Sequence, residues 1–182
     1  MSRIPAPQRY GGIAQAFHWL TAVLVLAAFA YGPGGSEQRV YSAARDFDRQ
    51  LHETLGATIF AVVVLRLLWR LVDARPDPAD VPRWMGAASK AVQALLYALL
   101  LALPVTAVTG AWLEGHPLTL LAGVRIPAPF AESHDLGRAL ASLHGWLGDT
   151  VMWVAGLHAA AALYHHFVRR DGVLRSMLPG RG

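Results

Sequence analysis

The chain alternates long apolar runs with short polar segments, and four of the runs are long enough to cross a bilayer. A spanning helix needs about 20 apolar residues. Gly11 to Tyr31 is uncharged and of that length, and Ala91 to Leu113 is a second uncharged run. Thr54 to Val72 is apolar except for Arg66 and Arg70 near its end. The last run extends from Leu143 to Val168, with Asp149 near its start. Helices are therefore expected over 11–31, 52–72, 88–113 and 140–168. Pro104 lies inside the third, where neighbouring helices tolerate it and a kink is expected. Polar segments carrying proline or glycine, Gly32–Asp48, Asp73–Pro82 and Glu114–Gly137, separate the runs. With no internal repeat and no low-complexity tail, the expectation is one all-α domain over 1–182, an integral membrane four-helix bundle. The first run admits a second reading as a signal peptide, because Arg3 and Arg9 precede it and Ala28-Phe29-Ala30 resembles a cleavage site. Against that, the run is long for a signal core, and cleavage would discard His18.

Composition sharpens the choice of solvent. Of the 182 residues, 54% are hydrophobic and 15% charged, against about 25% charged in a typical soluble domain. The mean hydropathy is +0.36. There is no cysteine, which excludes disulfides, thiolate metal sites, iron–sulfur clusters and covalent c-type haem together. The eight histidines become the main candidate ligands. The net charge of +4 does not point to nucleic acid, because the charges flank the apolar runs and form no stripe. They follow topology instead. With the N-terminus inside, one face carries Arg3, Arg9, Arg66, Arg70, Arg75, Arg83, Lys90, Arg169, Arg170, Arg175 and Arg181. The other keeps Arg39, Arg45, Arg49, Arg125 and Arg138, so that both termini are expected in the cytoplasm. Trp84, Trp112 and Tyr31 near span ends suit an interfacial belt.

Polar side chains inside a membrane are costly and point to function. His18 lies near the inner end of the first span, His52 opens the second on the outer side, His144 opens the fourth, and His158 lies deeper in the same helix. His144 and His158 are 14 residues apart, so they share one helix face about 21 Å apart along the axis. Two cross-helix pairs result, His52 with His144 outside and His18 with His158 inside. Such pairs suit a flat ring bound through its iron by one imidazole on each side. Arg66, also 14 residues from His52, shares that face and reaches the depth of His158. It either meets an anionic partner such as an inner haem propionate or snorkels to the interface. Small residues one turn from the histidines (Ala14, Ala22, Gly56, Gly148, Ala162) leave room for a porphyrin. For each histidine alone the plain alternative is a hydrogen-bonded polar group between helices. His116 and His134 fall in the outer loop; His165 and His166 close the last span, where His165 can reach a propionate or a quinone or simply sit at the interface.

The sequence resembles the prokaryotic cytochrome b561 family in Phe17-His18-Trp19-Leu20, Leu51-His52-Glu53, Val64-Leu65-Arg66-Leu67-Leu68 and Leu143-His144. The likeness continues through Gly156-Leu157-His158-Ala159-Ala160-Ala161-Ala162-Leu163, His165-His166, Arg170-Asp171-Gly172-Val173-Leu174 and Met177-Leu178-Pro179, and covers nearly the whole chain. It implies a multi-pass protein of the bacterial inner membrane with two non-covalent b-type haems. Their axial ligands would be His18, His52, His144 and His158, with a quinone as one redox partner and no ligand on the third helix.

Members that oxidise superoxide and reduce ubiquinone look most similar. Such an activity needs an anion drawn to the outer haem. Arg49 and Arg138, shortly before His52 and His144, fit that role or pair with propionates or serve as loop charges. The outer segments carry Glu37, Asp46, Asp48, Glu53, Glu114, Glu132, Asp135 and Asp149 against five arginines, so any steering is local. The expected function is electron transfer from an outer donor, superoxide or a periplasmic redox protein, to the quinone pool. The alternative is a haem-bearing anchor that relays electrons for a periplasmic dehydrogenase or soluble cytochrome without a substrate of its own. A histidine-lined metal or proton transporter would converge its histidines on one pathway, which two pairs about 21 Å apart do not.

Overall fold

The computed structural model describes residues 9–33, 37–73 and 81–179. Arg3, Arg75 and Arg181, which enter the Lys and Arg count, lie outside them. Four long helices run up and down: α1 (Gly12–Ala30), then, after the short α2 (Glu37–Val40) and a 3-10 turn (Ala43–Arg45), α3 (Asp46–Val72), α4 (Arg83–Leu113) and α5 (His134–Tyr164). A two-residue hairpin, β1 (Leu118–Thr119) with β2 (Arg125–Ile126), lies between α4 and α5. The last turn of α5 widens into a π-turn over His165–Arg169, and α6 (Val173–Met177) follows. All four long helices have the length and apolar composition of membrane spans.

α3, α4 and α5 begin several residues before the apolar runs that foretold them. Asp46, Asp48 and Arg49 precede the run in α3, Arg83 and Lys90 the run in α4, and Asp135 and Arg138 the run in α5. Hydropathy marks where lipid begins, whereas backbone hydrogen bonding carries each helix on into the polar boundary. Pro104 lies within α4, which remains one helix on both sides of it.

α1 packs along α3, α4 along α5, and α3 meets α4. Ala28, Ile59, Val63, Leu99, Leu100 and Val151, drawn from all four helices, form a buried apolar cluster. Val151 lies seven residues from both His144 and His158, so this cluster sits between the two histidine levels. Outside it, large apolar side chains such as Val23, Leu65, Leu71, Trp153 and Leu157 face outward, as lipid-exposed positions do. At the end where α1 begins and α5 finishes, here the termini end, α6 is tied to α1. The Tyr10 N–H and the Gln15 amide both donate to the Ser176 carbonyl, and the Trp19 indole donates to that of Met177. At the opposite, loop end the hairpin is clamped onto α3. The Thr119 N–H donates to the Glu53 carboxylate (2.5 Å) and the Leu121 N–H to the Thr54 hydroxyl (2.9 Å).

Candidate functional site

The four spanning histidines meet in two pairs. His18 of α1 faces His158 of α5 near the termini end, with ring centres 6.4 Å apart and planes at 71°. His52 of α3 faces His144 of α5 near the loop end, with centres 6.0 Å apart and planes at 90°. An imidazole nitrogen binds a metal at about 2.0 Å, and its ring centre lies about 1.1 Å behind that nitrogen, so two imidazoles on opposite sides of one metal atom have centres about 6 Å apart. Both pairs have that separation. Among the described residues no three His, Asp or Glu side chains gather at one point, so the arrangement suits a metal whose other ligands come from a flat ring. One turn beyond His52 and His144, a Cβ built on Gly56 or Gly148 would meet nothing within 4 Å. The two glycines thus leave open space on the helix faces that carry the two histidines.

Backbone carbonyls orient the loop-end pair. Gly32 N–H turns back to Phe29 as α1 ends, and the Ala28 carbonyl, one of the last-turn acceptors a helix leaves over, takes the Nδ1–H of His52 (2.7 Å). On α4 the Leu103 carbonyl, just before Pro104, accepts from the Thr106 hydroxyl (3.0 Å) and from Nδ1 of His144 (2.9 Å). A carbonyl can only accept, so both rings carry their proton on Nδ1, and the Nε2 lone pairs are free for a metal. The termini-end pair differs. Nδ1 of His18 lies 3.3 Å from an Arg66 guanidinium nitrogen, and His158 has no hydrogen-bond partner among the described residues. Arginine can only donate, so this contact needs the His18 proton on Nε2. For Nε2 to bind a metal, that proton moves to Nδ1 and Arg66 gives up the contact.

The three predicted arginines part company. Arg66 is half-buried on the inward face of α3, against His18 and over the Tyr97 ring (5.5 Å). Arg49, one turn before His52, pairs with Asp46 and with Glu53 (2.9 Å), lies over the Tyr41 ring (5.2 Å), and keeps a buried Nε with no partner. Arg138 is exposed, and its guanidinium is held by Asp135. His116 stacks on Tyr41 with ring centres 3.5 Å apart, and His134 is exposed beside Glu132.

Several further residues shape the site. α4 and α5 touch closely where Gly110 meets Gly137, two turns before His144. Glu53 and Thr54, beside His52, hold the hairpin. His165, two turns past His158, has its Nδ1 2.5 Å from the Asp171 carboxylate, whose other oxygen takes the Val173 N–H. The π-turn and Arg170, which closes it in the left-handed conformation (φ 54°), bring Asp171 back to His165. Glu53 and Asp171 stand inside motifs that carry the family resemblance, which is the signal that could have singled out their roles; Gly110 and Gly137 offered none.

A four-helix membrane bundle with paired imidazoles on either side of an apolar layer has the architecture of a membrane-bound cytochrome b. The chain belongs to the prokaryotic cytochrome b561 family, which matches residues 9–180. It is similar to cytochrome b561 homolog 2 of Escherichia coli K12, 31% identical, with 98% of this chain and 95% of that protein covered. The probable superoxide oxidase CybB of Yersinia pestis is 28% identical over 94% of this chain and 97% of its own. Cytochrome b562 of Cereibacter sphaeroides is 28% identical over 90% and 91%. The protein is thus a multi-pass b-type cytochrome of the bacterial inner membrane that transfers electrons.

Proposed function

We propose that the chain binds two haems, one between His52 and His144 and one between His18 and His158, and passes electrons from a donor on the loop side to a quinone at the termini end. The observation that carries this reading is the pair of imidazole separations, 6.0 and 6.4 Å, each matching a single metal atom between two rings. Haem supplies the one-electron chemistry that no side chain of this chain offers. The protein's part is to hold the ligand rings and to meet the propionates. Arg49, with its free buried Nε, serves the loop-end group, and Arg66, once released from His18, the termini-end one. The Lys and Arg count supports a cytoplasmic position for both termini and a periplasmic one for the loop end.

Quinone reduction needs protons as well as electrons. His165, held by Asp171 two turns beyond His158, is a proton-carrying pair at the end where the quinone is proposed. Similarity to a probable superoxide oxidase supports superoxide as the donor, and the resemblance that the sequence carries implies ubiquinone as the acceptor. A specific observation favours a second reading, the relay subunit. Arg49 and Arg138, the arginines nearest the loop-end ligands in sequence, are both paired with carboxylates, which weakens any field that would draw in a small anion.

The first experiment is a reduced-minus-oxidised optical spectrum of the purified chain with haem counted by pyridine haemochrome. Two haems per chain, falling toward one in both His18→Ala and His52→Ala, is the expected result; a chain without haem after expression with ample supply overturns the reading. Electron transfer from superoxide to ubiquinone by the isolated chain separates the enzyme from the relay, which would instead copurify with a redox partner.

A further inference from the structure

We infer that Arg66 makes the haem position between His18 and His158 the higher-potential one, so that electrons are held at the termini end. This rests on the reading of the two imidazole pairs as haem sites. Reduction of a bis-imidazole iron removes one positive charge from it. A fixed cation beside the site therefore favours the reduced form, whereas a hydrogen bond that raises the basicity of a ligating imidazole favours the oxidised form.

The two ends of the bundle differ in both respects. At the loop end each ring donates from Nδ1 to a backbone carbonyl, Ala28 for His52 and Leu103 for His144. The nearby Arg49 is offset by Asp46 and Glu53. At the termini end no carbonyl or carboxylate meets Nδ1 of either ring among the described residues. Arg66 and Arg70 both lie over Tyr97, at 5.5 and 5.8 Å, and no described carboxylate pairs with either. Among the described residues no carboxylate offsets this positive charge, and Arg66 sits in the half-buried interior, where charge acts more strongly than in water. Propionates would come with a haem at either end, so the difference between the ends lies in the charges that the protein itself supplies.

The test is a potentiometric titration read optically. His52→Ala, which keeps the termini-end pair, should show a higher midpoint than His18→Ala, which keeps the loop-end pair. Adding Arg66→Gln to His52→Ala should lower the midpoint by about 59 mV, a tenfold change in electron partition for a one-electron couple, and Arg66→Lys should restore it. The reverse order of midpoints, or an unmoved midpoint in Arg66→Gln, overturns the proposal. If Arg66→Gln loses the haem altogether, Arg66→Lys decides: a midpoint near that of the parent supports the role of charge, and a fallen one overturns it. If either histidine variant loses both haems, the two-step titration of the parent chain decides instead, where the upper step alone should fall in Arg66→Gln and recover in Arg66→Lys. Absence of haem from the parent chain would mark failure of the haem reading itself.

Discussion

Gly110 and Gly137 lie back to back where α4 meets α5. A Cβ on Gly110 would come within 3.3 Å of the Gly137 carbonyl oxygen, and one on Gly137 within 3.1 Å of the Gly110 carbonyl oxygen. Without a hydrophobic drive between helices in lipid, close backbone approach of this kind is a main source of association. Gly137→Ala also drives a Cβ to 2.6 Å from Glu114 Cγ. It is expected to cost about 1–3 kcal/mol, the usual range for overpacking. Gly145→Ala, where a Cβ meets nothing within 4 Å, should stay within about 0.5 kcal/mol. Thermal unfolding in detergent followed by circular dichroism checks both, and equal melting of the two variants would mean that the contact is not tight.

Ligand loss should follow the spatial pairs rather than the helices. His144→Ala should remove the same spectral component as His52→Ala, and the double variant should lose no more than either single one. His158→Ala should instead match His18→Ala, although His158 shares α5 with His144. Difference spectra of the four single and two double variants would reveal any other grouping.

Glu53 joins the hairpin to the turn that carries His52, through the Thr119 N–H and Arg49. Glu53→Gln is expected to cost about 1.5–3 kcal/mol locally, since it weakens two charge-assisted hydrogen bonds. Exchange of the Thr119 amide hydrogen should quicken by one to two orders of magnitude while amides in mid-α3 keep their rates. Thr54→Val, which removes the acceptor for the Leu121 N–H, should free that amide at a cost of about 1 kcal/mol.

The pairing of His165 with Asp171 predicts a defect in quinone reduction without loss of haem. Asp171→Asn removes the carboxylate that fixes the ring and should slow electron delivery to ubiquinone by about 10- to 100-fold, in the range of other orienting partners. His165→Ala should do the same, and the double variant should be no slower than the worse single one. Stopped-flow oxidation of the prereduced chain by a soluble quinone reads this directly; unchanged rates in both variants would remove His165 from the proton route.

The spans were readable because lipid demands long apolar runs, and the two histidine levels because a helix converts 14 residues into a fixed rise. Where the helices really start was not readable. The first turns of α3 and α5 are as polar as loops, and Asp46 and Asp135 look like turn residues until the ladder above them is known. The carbonyls that orient His52 and His144 belong to Ala28 and Leu103, and a backbone acceptor leaves no mark in residue type. Arg66 was placed at the right depth, but its contact with His18 depends on how α1 and α3 are rotated, which spacing along one helix does not encode. The reach of Asp171 back to His165 depends on a π-turn and a left-handed arginine, neither of which follows from side-chain pattern.

One ring of each pair comes from α5, with Val151 midway between them. The gap between the two sites is therefore engraved on a single rigid rod, not negotiated among loops. Lengthening the hairpin or shortening the turn before α6 leaves it untouched, while one residue inserted between His144 and His158 would swing one ring about 100° out of line with the other. In the proposed two-haem arrangement, because tunnelling rates fall steeply with distance, the electron step between the pairs would be set by the most regular stretch of the chain. The surfaces that meet donor and acceptor are free to diverge without retuning it.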